Sequence, residues 1–367
     1  MTQSTYPGAV ALSERVHAHL QSLAPEAAPD ARLLAEVISI AFWASLRREE
    51  GLTPKISLAF LTLAQAQHPL VFERPLPVTA AALTKLAPAV ERPGIHLGVQ
   101  RDRDAVLVWG ALRELPPYCC VLEVLAPGQL VIKYSREADA KFVNLAVLQG
   151  DEVKIIDPCA TARADCPDMV SSLLGFEARF TNGSAGVLIE LAVSMRAHGH
   201  GGSLLVVPAG SDSWRESIAK PIAYGVDPPF RLLADLMEED ASERTRRRWR
   251  EALHHAVEGV AGLTAIDGAA VISDAYEVLA FGVKIIRRAQ AKPVDWVVLS
   301  EPVENAALRR VEPTLLGGTR HMSAAQFVQD QPDALALVAS QDGRFTVFGW
   351  SLEERAVRAH RIESLLV

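Results

Sequence analysis

The segment AIDGAAVIS sets Asp267 and Gly268 directly before the apolar run Ala270-Val271-Ile272. A strand entered through Asp-Gly carries a carboxylate at its edge, and the glycine lets backbone approach a neighbour or a ligand closely. Such an acid suits a metal ion or a ribose hydroxyl. About fifty residues later, LLGGTRHMSAAQF places Gly318, Thr319, Arg320 and His321 just before a helix-like stretch from Ser323 to Val328. Free N–H groups and the helix dipole at such a start favour anions. Arg320 offers a planar fork of donors to phosphate oxygens, and Thr319 adds a hydroxyl or caps the helix. Together the two segments read as a nucleotide site. Taken singly, each has a plainer meaning: Asp-Gly is a common turn dipeptide, and Arg320 with His321 is a helix-capping surface pair.

At these residues the chain resembles the diadenylate cyclase (DAC, DisA N-terminal) domain family, whose signatures are Asp-Gly-Ala and Gly-Thr-Arg-His-Arg. Gly201-Gly202-Ser203-Leu204-Leu205-Val206-Val207 stands where that family opens with a Gly-Ala-Leu-Ile-Val-like strand. Tyr224-Gly225-Val226-Asp227, followed by Phe230 to Glu239, stands in place of its glycine-containing link and helix. The resemblance spans residues 165 to 350, about half of the chain. Met322 occupies the position of the second arginine and can neither pair with phosphate nor donate a hydrogen bond. In Ser340-Gln341-Asp342, Gln341 replaces the first glutamate of a Ser-Glu-Glu, and Asp342 lies one residue along, a change of face on a strand. A helix-like segment from Ser242 to Val260 lengthens the stretch before Asp267.

The resemblance implies an α/β (α+β) chain in which residues 165–367 form a DAC-like domain with a mixed central sheet flanked by helices. It implies a nucleotide site made of Asp267, Gly268, Ala269, Gly318, Thr319, Arg320, His321, Ser323 and Ser340. Asp267 would hold Mg²⁺ or Mn²⁺ beside the bound nucleotide and serve as the catalytic carboxylate in an active enzyme. Two activities follow. The site binds ATP, another nucleotide or a cyclic dinucleotide as a sensor, or two facing subunits of a homodimer condense two ATP molecules into cyclic di-AMP. Loss of an arginine and a carboxylate weighs more on transition-state charge stabilisation than on ground-state binding, which favours the sensor. A third possibility is a pseudo-enzyme whose surface binds another protein.

With 49% hydrophobic and 22% charged residues, 367 residues can bury a substantial core, and the length favours two domains. The first, residues 1–160, reads as mixed α/β without a catalytic motif. Ala31 to Arg48 has apolar residues at helical spacing, and Ile56 to Leu63 and Val106 to Leu112 read as strands separated by a proline-containing segment. From Tyr118 the pattern is β: CCVLEVLAPG, QLVIKYS and FVNLAVLQGDEVKIID, turning at Pro127-Gly128 and Gly150-Asp151. The Pro/Cys/Asp-rich loop from Asp157 to Asp168 marks the boundary.

The apolar stretch from Leu34 to Leu46 is broken by Glu36 and too short to span a bilayer, and the first residues lack a basic region followed by an apolar core. A cytoplasmic protein without a membrane partner is expected. A net charge of −7 argues against a nucleic-acid partner. Cys159 and Cys166 are loop residues, a disulfide or half a metal site. His198 and His200, like His254 and His255, are metal ligands or exposed histidines, the first pair at the rim of the nucleotide site. The basic run Arg244 to Arg250 is a solvated helix face, with Glu243 paired to Arg246 or Arg247, or a polyanion patch.

Overall fold

A computed structural model describes residues 6–135, 142–157, 166–174, 184–244 and 246–366. Two compact units meet in sequence after Asp157, and both are of the α/β class, with mixed sheets and helices.

In the N-terminal unit, helices α1 (Ala9–Leu23) and α2 (Ala31–Ser45) precede strand β1 (Ile56–Phe60). Then follow β2 (Leu70–Pro77), α3 (Ala80–Val90), β3 (His96–Asp102) and β4 (Ala105–Leu112). A meander of β5 (Cys120–Ala126), β6 (Gln129–Ser135), β7 (Phe142–Gln149) and β8 (Glu152–Ile155) completes it. The sheet runs β2-β4-β3-β1-β5-β6-β7-β8, antiparallel except where β1 lies parallel to β3. Asp30 starts α2 by accepting the Leu33 N–H, and Thr79 starts α3 by accepting that of Ala82, each satisfying a donor the helix leaves open. Leu34, Val37, Ile38 and Ala41 of α2 then pack with Leu58, Leu97 and Leu122 of the sheet.

The hairpins fall where the pattern puts them, with Gly128 and Gly150 in the left-handed conformation their turns require. The proline-containing segment differs from its reading. It holds β2, α3 and β3. β2 is an edge strand, exposed along nearly its whole length, so it carries no apolar alternation to reveal it. β1 is also shorter than expected, ending at Phe60 before a 3₁₀ turn at Leu63–Gln65.

The C-terminal unit begins with α4 (Asp168–Leu173) and α5 (Ser184–Ala197), then β9 (Gly202–Val207) and β10 (Tyr224–Phe230). Helices α6 (Leu232–Glu238), α7 (Ala241–Arg244) and α8 (Arg247–Leu263) lead to β11 (Ala269–Ser273) and β12 (Val278–Val283). After β13 (Val297–Ser300) and β14 (Arg309–Val311) come α9 (Thr319–Asp330), β15 (Leu335–Ala339), β16 (Phe345–Ser351) and β17 (Ala356–Arg361). The strand order is β10-β12-β11-β9-β15-β16-β17-β13-β14, with β9–β11 and β13–β17 parallel. Helix α9 buries Ala324, Phe327 and Val328 against Leu205, Val207, Val271 and Val338. Alternate residues Leu204, Val206, Ala270 and Ile272 face the other side, where α5 and α8 pack together and against β15 and β12.

Three boundaries differ from the sequence reading. Tyr224 to Phe230 is a strand, and the helix begins only at Leu232; β10 lies at the sheet edge, where Pro228 and Pro229 need no ladder donor. Helix α9 starts at Thr319 instead of Ser323, so Thr319, Arg320 and His321 form its first turn; Gly318 is the N-cap, and no side chain caps the end. The lengthening segment is α7 with α8, and its charges pair locally, Arg246 with Glu243 at 2.7 Å and Arg247 with Glu251 at 2.8 Å. Among the described residues no helix is long and apolar enough to cross a membrane.

Because Phe327 is fully buried between α9 and the sheet, Phe327→Ala is expected to destabilise the C-terminal unit by about 3–5 kcal/mol. Denaturant titration followed by tryptophan fluorescence checks this, and a loss well under 1 kcal/mol would deny α9 its anchoring role.

Candidate functional site

The start of β11 lies beside the end of β12, since Ala269 pairs with Val283, and the start of β9 lies beside the end of β15, since Gly202 pairs with Ala339. All four strand ends therefore meet at one end of the sheet, where they and the first turn of α9 enclose a cleft of about 700 Å³. Asp267, Gly268, Ala269, Gly318, Thr319, Arg320, His321, Ser323 and Ser340 all line it. So do Ser203, Val283, Lys284, Ile285, Ala339, Gln341 and Asp342.

Glycines set the close approaches. Gly268 has φ +114°, and a Cβ there would stand 2.6 Å from Gly282 C and Val283 O, so the turn into β11 admits only glycine. A Cβ on Gly317 would lie 2.4 Å from His321 Nδ1, whereas Gly318 has open space around it. The His321 N–H bonds back to the Gly318 carbonyl at 3.0 Å, which leaves the Thr319 and Arg320 N–H groups without an acceptor inside the helix. The first turn of α9 thus offers open donors to the cleft.

Charges are arranged unevenly. The Asp267 carboxylate, the Arg320 guanidinium and the Lys284 ammonium have no ion-pair or side-chain hydrogen-bond partner among the described residues. Asp342 is engaged, 3.5 Å from Arg344 Nε. Gln341 Nε2 donates to the His200 carbonyl at 3.2 Å, so the amide ties the loop before β9 to the loop after β15. An ionised glutamate in its place would set negative charge against that carbonyl. Strand β15 ends at Ala339, and Ser340 to Gly343 form a turn, with the Ser340 N–H bonded to the Arg344 carbonyl. The change of face expected for Asp342 therefore does not arise, and Gln341 and Asp342 both reach the cleft.

His321 departs from its expected role. It is 2% exposed, with Nε2 3.4 Å from Thr346 Oγ1, and burial lowers its pKa to about 4. Asp342 opposes that shift, while Arg361 and Arg344 add to it. The imidazole is uncharged at neutral pH and supports the helix turn from beneath, leaving the cations of the cleft to Arg320 and Lys284. Met322 is 44% exposed and lies outside the lining.

Among the described residues, the other histidines and the cysteines have local partners or lie in apolar surroundings. The His200 N–H donates to His198 Nδ1, so His198 Nε2 carries the proton it gives to Thr264 Oγ1 at 3.3 Å. Burial, then His200, lowers the pKa of His198. His254 and His255 face Glu258 at 3.4 and 3.6 Å. Among the described residues no group of three or more His, Cys, Asp or Glu is placed to hold a metal ion; a divalent cation at the cleft would rest on Asp267 and on the ligand's own oxygens. Burial pushes the Cys119 thiol up to about 12. Cys159 lies outside the described residues.

The N-terminal unit has a polar row on the sheet face away from its helices. Ser57 Oγ is 2.7 Å from His96 Nδ1 and 3.3 Å from Glu123 Oε1, and Glu123 pairs with Lys133 at 2.8 Å. These groups satisfy one another. A family described as "Probable sensor domain DACNV" matches residues 23–113, from the end of α1 through β4. The match lies within the N-terminal unit and does not touch the residues that carry the diadenylate cyclase resemblance. No curated protein matches the chain.

The buried His321 gives the C-terminal unit a pH dependence. Unfolded, the imidazole takes up its proton near 6.5, and folded only near 4. The unfolded chain binds more protons in that window, so stability is complete above it and falls as pH drops through it, by up to about 1.4 kcal/mol per pH unit. His321→Gln removes this slope. Chemical denaturation of both proteins between pH 7 and 4.5 checks it, and parallel curves would show that His321 titrates normally.

Proposed function

We propose that the C-terminal unit is a diverged DAC-like domain that binds a nucleotide or a cyclic dinucleotide, and that the chain works in sensing. The observation that carries this reading is the convergence on one cleft, from segments far apart in sequence, of Asp267, the open turn at Thr319 and Arg320, which has no ion-pair partner among the described residues. A guanidinium and free backbone donors at a helix start suit phosphate, a carboxylate at a glycine step suits a ribose hydroxyl or a phosphate-bound Mg²⁺ or Mn²⁺, and a cleft of about 700 Å³ suits a ligand of nucleotide size. Sensing agrees with the family matched by residues 23–113.

Binding is favoured over turnover by what positions 322 and 341 lack relative to the family's motifs. Catalysis needs donors and charges set where negative charge develops in the transition state, and Met322 and Gln341 supply neither an additional cation nor a carboxylate. A second reading is retained because one observation favours it. A sensor-like N-terminal unit calls for an output, and ATP condensation to cyclic di-AMP by two facing copies, with Asp267 on the metal, would be one.

The test is incubation with ATP and Mg²⁺ or Mn²⁺, products resolved by mass, alongside thermal shifts with ATP and cyclic di-AMP. A shift without product is expected, since a ligand that binds only the folded state raises its stability by mass action. Cyclic di-AMP that disappears in Asp267→Asn would establish the cyclase instead. Neither product nor shift would sink both readings and leave the pseudo-enzyme.

A further inference from the structure

The Gly-Thr-Arg-His segment accounts for one cation of the cleft, and the second comes from a strand that no motif marks. Lys284 follows β12 directly. Val283 before it pairs with Ala269, the Lys284 carbonyl accepts the Ala219 N–H at 2.9 Å, and Ile285 after it bridges Ile218. The backbone of Lys284 is therefore held on both sides next to the Asp267-Gly268 turn, while the residue lines the cleft and its ammonium has no ion-pair partner among the described residues. Val283 is buried and Lys284 exposed.

The charge balance bears on the ligand. Arg320 and Lys284 bring two positive charges against the one negative charge of Asp267, Asp342 lies beside Arg344, and the open turn of α9 adds roughly half a positive charge. We infer that Lys284 is a phosphate-binding residue of this cleft, acting from β12 while Arg320 acts from α9, and that the pair selects ligands with two or more phosphate groups over those with one. This deepens the nucleotide-binding reading and rests on it. The second cation thus comes from β12, since position 322 on α9 lies outside the lining.

The experiment is calorimetric titration of the full chain at low salt with ATP, AMP, cyclic di-AMP and inorganic tripolyphosphate. The proteins are wild type, Lys284→Gln, Lys284→Arg, and Lys292→Gln as an exposed cation outside the cleft. Loss of one charge-assisted contact predicts that Lys284→Gln weakens ATP and tripolyphosphate about ten- to a hundredfold and AMP far less. Lys284→Arg is expected to restore most of this, and Lys292→Gln to match wild type. Lys284 is exposed, so matching melting curves will show that the variants fold. ATP and tripolyphosphate binding unchanged in Lys284→Gln, or an equal loss in Lys292→Gln, overturns the inference while the nucleotide reading stands. Lys284-dependent tripolyphosphate binding with ATP no tighter and cyclic di-AMP unbound sustains the inference and sinks the nucleotide reading. No binding of any probe to wild type overturns both.

Discussion

The close passage of Gly268 against the end of β12 is the constraint on which the C-terminal site depends. With φ +114° and no room for a Cβ beside Gly282 and Val283, the chain turns into β11 with its backbone pressed on a neighbouring strand. Asp267 is then held at the mouth of the sheet on one side of the contact and Lys284 on the other. A second close approach, Gly317 against the His321 ring, seats the first turn of α9 over the same end. Backbone packing, which costs no side-chain entropy at glycine, thus positions groups whose own side chains stay free.

Those free groups are costly to hold close together without a ligand. Arg320 and Lys284 line one cleft with Asp267, none of the three in an ion pair among the described residues, and the α9 donors stay open. A protein selected only for stability would pair them, as it pairs Arg246 with Glu243 and Arg247 with Glu251 on the solvated helices nearby. Around the cleft, polar groups are spent on rigidity: Gln341 ties two loops, His198 links one of them to Thr264 at the end of α8, and His321 supports α9 as a neutral ring. A cleft preorganised in this way would suit the ligand binding proposed above, because binding would then need little reorganisation.

Much of this was legible in the residues. Alternation and turn residues marked the β5–β8 meander, and the Asp-Gly-Ala and Gly-Thr-Arg-His segments, with Ser323 and Ser340, supplied nine residues that line one cleft. What escaped did so for identifiable reasons. Exposed β2 carries no alternation, β10 hides behind Pro228 and Pro229 at an edge, and the start of α9 was set four residues late because its cap is a bare glycine with no side-chain signal. Lys284 went unseen because FGVKIIRR looks like any strand end followed by basic residues.

The sequence by itself determined helix α2, the β5–β8 hairpins and their glycine turns, and that an acid, a guanidinium and hydroxyls were available to a site, because these properties are local to a few residues. Tertiary structure alone decided that β12 lies beside β11 and β15 beside β9, which brings Lys284 and Gln341 to the cleft. It also decided that His321 is buried and uncharged. Strand partnership and burial are set by residues distant along the chain, and charge state follows burial through desolvation, so neither can be read from a motif.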